Sequence, residues 1–154
     1  MRPLFNQQIL SSLVYEIKDL IDKDVFLANE DGIIIASTDQ EKINHFHEGA
    51  YLAMKTGEKM VMTKDLTKRL LGVLEGVVIP IEVKDYRIGV VGIIGDSKIV
   101  ESYARIVEKF AQLFLKNTLD QMSQEKRARN LELFIYDWLH GNLSEQQIVE
   151  QGNF

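Results

Sequence analysis

The stretch GVVIPIEVKDYRIGVVGIIGD, residues 76–96, decides the fold. Two β-branched runs, Val77–Val83 and Arg87–Gly95, lie on either side of the polar pair Lys84-Asp85. Runs of this kind joined by a two-residue turn are typical of an antiparallel hairpin. The stretch therefore predicts two adjacent strands of an antiparallel sheet.

Four residues inside this hairpin have special backbone properties. Pro80 lacks a backbone N–H, so it predicts an edge, a bulge or a ligand at that point of its strand. Gly89, Gly92 and Gly95 do not have the GxGxxG spacing of a nucleotide-binding loop. They instead indicate close approach of backbone, ligand or a neighbouring element to the strand. Pro80 and Gly92 are therefore candidate ligand contacts.

Shorter apolar runs predict the rest of the sheet. Val25–Ala28 is a predicted strand that pairs with Ile33–Ser37 through the turn Asn29–Gly32. Helical spacing follows over Glu48–Thr56, and Gly57 is a suitable residue to end that helix. Next come a short predicted strand and a polar loop, Lys59–Thr63 and Lys64–Arg69.

Both ends of the chain carry helical patterns. From Leu4 to Ile21, apolar residues recur every three to four positions, as in an amphipathic helix. Asp96 and Ser97 are capping residues, and the pattern after them meets no helix breaker before Gly141. The second helical region, about 40 residues long, far exceeds the mean helix length of about 11 to 12. Its extra apolar surface predicts a long exit helix and a homodimer formed through the terminal helices.

The polar segment ASTDQEKINHFHEGA, residues 36–50, follows the second predicted strand. It ends where a helix begins, and the first turn of a helix offers unpaired N–H donors and the positive end of the helix dipole. Such a strand, loop and helix start is a common way to bind an anion. With the hairpin and the loop before it included, the predicted ligand-binding residues are Ser37, Thr38, Phe46, His47, Glu48, Gly49, Ala50, Arg69, Pro80 and Gly92.

A ligand with two carboxylates needs a second cationic contact. Lys68 and Arg69 lie in the polar loop that leads to the central strands. Arginine offers a bidentate fork to a carboxylate, whereas lysine offers a point charge, so Arg69 is favoured. Arg87 lies beside the hairpin turn and is predicted to be exposed.

The histidine pair His45 and His47 leaves other interpretations open. The two rings could chelate a metal ion together with Asp39 or Glu48, or they could make only structural hydrogen bonds. His47 with Glu48 or Asp39 could also act as acid and base, but no separate nucleophile motif accompanies them. We therefore favour small-molecule binding and predict no catalytic, metal or cofactor site.

Composition excludes several classes of protein. The 154 residues carry a net charge of −5, which argues against broad electrostatic binding of nucleic acid. The chain has no cysteine, so disulfide and thiolate chemistry are excluded. No apolar run is long enough for a membrane span, and the polar residues of the first 20 positions rule out a secretory signal. We therefore expect a cytoplasmic protein with no membrane contact.

Two separated motifs carry a resemblance to a known family. ASTDQEKINHFHEGA resembles the "AS-D-ER-G-FHEGA" pattern, and VIPIEV followed by IGVVGIIGD resembles the "LPIE" and "IGVIGITG" hairpin, of the N-terminal sugar-diacid recognition domain of bacterial carbohydrate diacid regulators. The resemblance spans about Leu4 to His140. Asn44 stands where the family usually has glycine, and Val78 stands where an asparagine is common.

The resemblance implies a fold and a function. The fold would be α+β, a PAS-like or Cache-like antiparallel sheet flanked by an N-terminal helix and a long C-terminal helix. Residues 1–140 would sense a small hydroxy acid or sugar diacid of the glycerate, glucarate or galactarate class in a transcription regulator. Residues 141–154 would begin a further region that leads to a helix-turn-helix domain, the only part to contact DNA. The segment FIYDWLHG, residues 134–141, resembles the lead-in to that region.

Two rival functions share these sequence features. A dimerisation or scaffold domain would use the terminal helices and leave the polar loop solvated. A purine-catabolism-type regulator would share the downstream domain type, but the FHEGA segment favours the diacid family.

Overall fold

A five-stranded antiparallel sheet forms the centre of the protein. The computed structural model describes residues 6–125, 135–136 and 138–139. The strands are β1 (Val25–Ala28), β2 (Ile34–Ser37), β3 (Met60–Met62), β4 (Gly76–Val83) and β5 (Tyr86–Ile94), in the spatial order β2-β1-β5-β4-β3. The helices within residues 6–125 are α1 (Gln7–Ile21), α2 (Glu48–Thr56), α3 (Lys64–Arg69), α4 (Ser97–Glu101) and α5 (Ala104–Glu125), and a 3-10 turn covers Gln40–Lys42. The predicted α+β class and antiparallel sheet are confirmed.

The predicted hairpin lies at the middle of the sheet. β4 and β5 pair over their whole length, from Gly76 opposite Ile94 to Val83 opposite Tyr86. Lys84 and Asp85 form the turn with φ values of 52° and 69°, both left-handed. Two left-handed residues make a turn whose twist matches that of the flanking strands. The two-residue connection is therefore what sets the register of the central strands.

The two faces of the sheet bury separate clusters. On the face that we call the α5 face, α1 and α5 pack with residues such as Leu13, Val91 and Leu115. On the opposite face, which we call the α2 face, Ala50 and Ala53 of α2 are fully buried against the sheet. Strand residues alternate between the two faces, so each strand carries apolar side chains for both clusters.

Pro80 is explained by the short length of β3. That strand pairs only with Gly76–Val78 of β4, so no strand within the described residues pairs with the outer side of β4 at Pro80. Because proline donates no hydrogen bond, it is tolerated where the strand becomes an edge. The structure thus provides the predicted edge at Pro80, and an irregularity in the β4–β5 register follows one residue later, between Ile81 and Glu82.

The predicted long C-terminal helix is present as α5, with 22 residues, but the prediction that the helical region is unbroken from Ser97 onward is wrong. The chain forms α4, turns at Ser102 and Tyr103, and then forms α5. Trp138 is 3% exposed and lies in the same apolar pocket as Leu115. A straight helix would hold these two residues about 34 Å apart, at 1.5 Å per residue. The helical residues 135–136 and 138–139 therefore pack on the domain, while residues 141–154 lie outside the described part.

Two smaller predictions are also wrong. The segment Lys64–Arg69 is a helix and not a loop, because the Thr63 side chain accepts a hydrogen bond from Leu66 N and caps it. Arg87 is only partly exposed, contrary to the prediction. Its side chain is only 33% exposed and turns toward the end of α2.

Candidate functional site

His47 is the buried polar residue at the start of α2. It is 3% exposed and forms the N-cap of the helix, with its Nδ1 accepting a hydrogen bond from Ala50 N at 2.9 Å. Its ring lies 4.8 Å from the Phe26 ring, between centroids. A neutral imidazole that accepts at Nδ1 carries its proton on Nε2. Nε2–H of His47 is therefore a donor, and it has no hydrogen bond within the described residues.

Burial keeps this histidine neutral. Desolvation lowers the pKa of His47 from 6.5 to about 4. At neutral pH the ring offers a hydrogen-bond donor without a positive charge. It can therefore orient an acceptor oxygen, but it cannot supply the charge that neutralises a carboxylate.

The backbone N–H groups at the start of α2 are mostly used inside the protein. His47 N donates to Gly32 O, Glu48 N donates to Leu71 O, and Ala50 N donates to His47. These three donors already have partners inside the protein, and ligand contact through the N–H groups around Phe46 to Ala50 stays a prediction. Gly49 N differs, because it has no hydrogen bond within the described part of the chain although Gly49 is buried. A buried donor without a partner is uncommon, which makes Gly49 N a candidate ligand contact.

Glu48 ties the loop after α3 to the start of α2. Its Oε1 accepts from Leu71 N at 2.8 Å, and its own N donates to Leu71 O at 2.9 Å. Next to this pair, Gly72 has a φ of 72° and lies so close to Phe46 O that a Cβ would overlap it. The residues Phe46 and Glu48 therefore fasten the 70–72 loop over the site.

Gly49 and Ala50 are small because α2 packs closely on the sheet. A Cβ on Gly49 would lie 2.7 Å from the Met62 sulfur and 2.9 Å from the His47 ring. Ala50 has no exposed surface. Both residues have a packing role, which fixes His47 against the α2 face.

Ser37 and Thr38 point to different surroundings. Ser37 is 4% exposed and lies opposite Phe26 in the sheet, while its Oγ accepts from Asp39 N and keeps a proton to donate. Thr38 Oγ1 donates to Asp24 at 2.8 Å and accepts from Val25 N at 2.9 Å. Ser37 therefore shares the face of His47, whereas the Thr38 hydroxyl joins the start of β1 to the following loop.

Gly92 makes room for a neighbouring side chain. Phe26 and Gly92 are paired across β1 and β5, and a Cβ on Gly92 would overlap the Phe26 ring. Val78, the next residue in this row, pairs with Gly92 on its other side. The row Ser37, Phe26, Gly92 and Val78 thus forms the floor beneath His47. Contact of Gly92 or Pro80 with a ligand stays a prediction.

Arg69 lies at the surface. Its side chain is 70% exposed, and its Nε pairs with Asp65 Oδ2 at 3.2 Å within α3. The structure does not bring it into the floor formed by Ser37, Phe26, Gly92 and Val78. Its contact with a second carboxylate stays a prediction.

The two departures from the family pattern have different structural consequences. Asn44 has a φ of 74°, a conformation that glycine and asparagine adopt most easily. Asparagine in place of glycine at position 44 is therefore compatible with the same backbone turn. Val78 is 1% exposed in the floor, so an apolar side chain stands where an asparagine would offer a donor and an acceptor.

Sequence reasoning missed Phe26 and the role of Arg87. Phe26 is one apolar residue among four in β1, and nothing local marks it as the contact of His47. Gly92 was the available signal, because a glycine in a central strand indicates that another group approaches. Arg87 donates to Met54 O at the end of α2, a contact that joins residues 33 positions apart.

Two further groups of observations bear on the alternatives. Within the described residues, no three His, Asp or Glu side chains are grouped to hold a metal ion. Among the helices that the structure describes, none combines the length and the apolar character needed to cross a bilayer.

The fold is that of a known class of domain. The solved GAF domain of an Acinetobacter phosphoenolpyruvate-protein phosphotransferase aligns with a TM-score of 0.51 over 72% of this chain and 82% of that chain, at 13% sequence identity. GAF domains have a PAS-like fold. The protein is therefore an α+β domain of the PAS-like class, as the sequence predicts.

Sequence comparison then identifies the family. The sugar diacid recognition family matches residues 5–138, and the chain belongs to this family. It is 31% identical over 137 residues to the uncharacterized protein YsfB of Bacillus subtilis (strain 168), covering 88% of this chain and 37% of that protein. It is 28% identical over 112 residues to the carbohydrate diacid regulator of Escherichia coli (strain K12), covering 71% of this chain and 29% of that protein. The chain thus spans 37% and 29% of the length of these two relatives.

Proposed function

We propose that this chain is the ligand-sensing domain of a cytoplasmic transcription regulator and binds a small hydroxy acid or sugar diacid. The observation that carries the proposal is the set of unused donors on the α2 face: His47 Nε2–H, Gly49 N–H and the Ser37 hydroxyl. Donors of this kind match the carboxylate and hydroxyl oxygens of a glycerate, glucarate or galactarate. Membership of the sugar diacid recognition family supports the same ligand class.

The proposed site recognises the oxygen atoms of the ligand by hydrogen bonds more than it recognises negative charge. His47 is neutral, so the acid would be held by directed hydrogen bonds to a buried donor. Val78 adds an apolar contact to the floor. We propose that this apolar contact favours the carbon backbone of a short acid at that point.

Arg69 remains our candidate for the second carboxylate of a diacid. Its present ion pair with Asp65 is exposed and lies within one helix, so it is worth only about 0.3 to 0.5 kcal/mol. A ligand carboxylate that forms a bidentate pair could replace it.

The first prediction is that hydroxy acids and diacids stabilise the domain and that His47→Asn weakens their binding by about 1 to 3 kcal/mol. Asparagine can still cap α2, so the helix start is kept while the ring donor is lost. Thermal denaturation with glycerate, glucarate and galactarate, followed by titration calorimetry of each hit, measures both effects. Succinate, a diacid without hydroxyl groups, is the matched ligand control.

A second variant separates the parts of this proposal. Arg69→Ala should weaken diacids and leave monoacids unchanged. An equal loss of affinity for diacids and monoacids would show that Arg69 does not bind the second carboxylate. If none of the acids stabilises the wild-type domain, the sensing function is wrong and the scaffold alternative is favoured.

We also propose that the domain acts as a homodimer and relays the bound state to a helix-turn-helix domain beyond its C-terminal end. Ile106 and Leu113 lie seven residues apart on α5 and are 61% and 58% exposed, and Ile99 on α4 is 48% exposed. A stripe of exposed apolar residues at this spacing suits a second copy of the same helix. The same face of the sheet carries α5 and Trp138, which follow the site in the chain.

The second prediction concerns this interface. Sedimentation should give a dimer at micromolar concentration, and Ile106→Glu with Leu113→Glu should give a folded monomer, since these side chains do not belong to the core. Lys68→Glu, at an exposed position of α3 away from this face, is the charge control and should stay dimeric. A wild-type monomer at these concentrations would exclude the proposed dimer.

A further inference from the structure

The helices α2 and α5 lie on opposite faces of the sheet, yet polar contacts around the β4–β5 turn join them. On the α2 side, Arg87 Nη1 donates to Met54 O at the last turn of α2. Its guanidinium also covers Gly57, the left-handed residue that ends the helix. A cation at this position interacts favourably with the carbonyl end of a helix. Arg87 therefore holds α2 by the end opposite to His47.

On the other side, the same turn is held to α5. Glu82 lies opposite Arg87 in the hairpin, with its Oε1 3.7 Å from Arg87 Nε. The backbone carbonyl of Glu82 accepts from Gln112 Nε2 at 3.1 Å, and Lys84 Nζ lies 3.2 Å from Asp120 Oδ1. Two neighbouring residues of β4 and β5 thus contact helices on both faces.

The conformation of Lys84 is a second, independent observation. Its φ of 52° is left-handed, and a side chain with a Cβ costs about 1 to 2 kcal/mol in that region. Asparagine or glycine would suit the turn better. The lysine at this position gains the contact with Asp120 on α5, which neither of those residues could make.

We infer that Arg87, Glu82 and Lys84 form a clasp that makes the position of α2 depend on the position of α5. Arg87 acts in this clasp as a positioning residue for the helix that carries His47. The use of the clasp in signalling rests on the proposed sensing function, but the mechanical link itself exists without any ligand. The contacts that link α2 to α5 pass around the end of the hairpin. The link therefore does not require the apolar side chains on the two faces of the sheet to repack.

Native-state amide hydrogen exchange on the ligand-free domain tests the clasp. Arg87→Met should raise exchange at Gly57 N, which bonds to Ala53 O, by about tenfold, because a hydrogen bond to a charged group is lost. It should also raise exchange several-fold in residues 112–120 of α5. A merely local cap would affect only the end of α2.

Lys84→Asn provides the sharper variant. Asparagine adopts the left-handed conformation more easily than lysine, so overall stability should be kept or increased. Exchange at Gly57 N should nevertheless rise several-fold, because the turn loses one of its two contacts with α5. Lys18→Asn is the matched control, since its ion pair with Asp24 has similar exposure but lies at the other end of the sheet. It should leave Gly57 N unchanged.

The double variant decides between a clasp and two separate contacts. In a clasp, Arg87→Met combined with Lys84→Asn changes exchange at Gly57 N no more than Arg87→Met alone. The inference is overturned if Lys84→Asn leaves amide exchange at Gly57 N at the wild-type rate. It is also overturned if the effects of the two substitutions on that rate multiply. Acid binding is measured separately, so failure of the sensing function would leave this result intact.

Discussion

Replacing Gly92 with alanine is expected to destabilise the domain by about 3 kcal/mol. The added methyl group would overlap the Phe26 ring, which is 2% exposed and held between strand β5 and the His47 ring. Neither the ring nor the strand can move freely, because β1 and β5 are hydrogen-bonded through this position. Urea denaturation of the variant measures the loss as a lower midpoint with an unchanged slope.

A compensating variant tests the cause of this loss. Phe26→Leu removes part of the ring, so Phe26→Leu combined with Gly92→Ala should be more stable than the sum of the single effects predicts. Additive effects would mean that the ring does not occupy the space above Gly92. Because Phe26 also supports His47, the single variant Gly92→Ala should weaken acid binding together with stability.

The stability of the domain is expected to fall by about 3 kcal/mol as the pH decreases from 6.5 to about 4, owing to His47. Above pH 6.5 the ring is neutral in both the folded and the unfolded chain, so its full contribution is present. Below that pH the unfolded chain binds a proton and the folded chain does not, because burial lowers the pKa of His47. Protonation therefore favours unfolding throughout this window.

His47→Asn is the control for this pH dependence. It keeps a capping acceptor at the start of α2 but does not titrate, so the difference between its stability curve and that of the wild type isolates His47. Burial raises the pKa of Glu30, so protonation of Glu30 increases stability as the pH falls. This change has the opposite sign to that of His47 and is the same in the wild type and the variant. The Lys18 hydrogen bond lowers the pKa of Asp24, so protonation of that carboxylate changes stability only below this pH range. Parallel curves would show that His47 is not kept neutral in the fold.

Much of the fold could be predicted from local patterns. The predicted bounds of β1 and α2 are those of the structure, because a β-branched run and a C-terminal glycine are signals read within a few residues. The break between α4 and α5 was not predictable in this way. Apolar residues continue in helical spacing across Ser102 and Tyr103, so the pattern alone does not show that the helix is interrupted there.

The sequence by itself determined the order of the strands along the chain, the turn at Lys84 and Asp85, and a polar segment that leads into α2. These features depend on backbone conformations and spacings between near neighbours. Tertiary structure alone decided that Phe26 fills the space above Gly92, that Glu48 holds Leu71, and that Arg87 caps the end of α2. Those partners are between 23 and 66 positions apart. Phe26 and Gly92 meet through the register of the sheet, and the other two pairs meet through the packing of α2, neither of which a local pattern specifies.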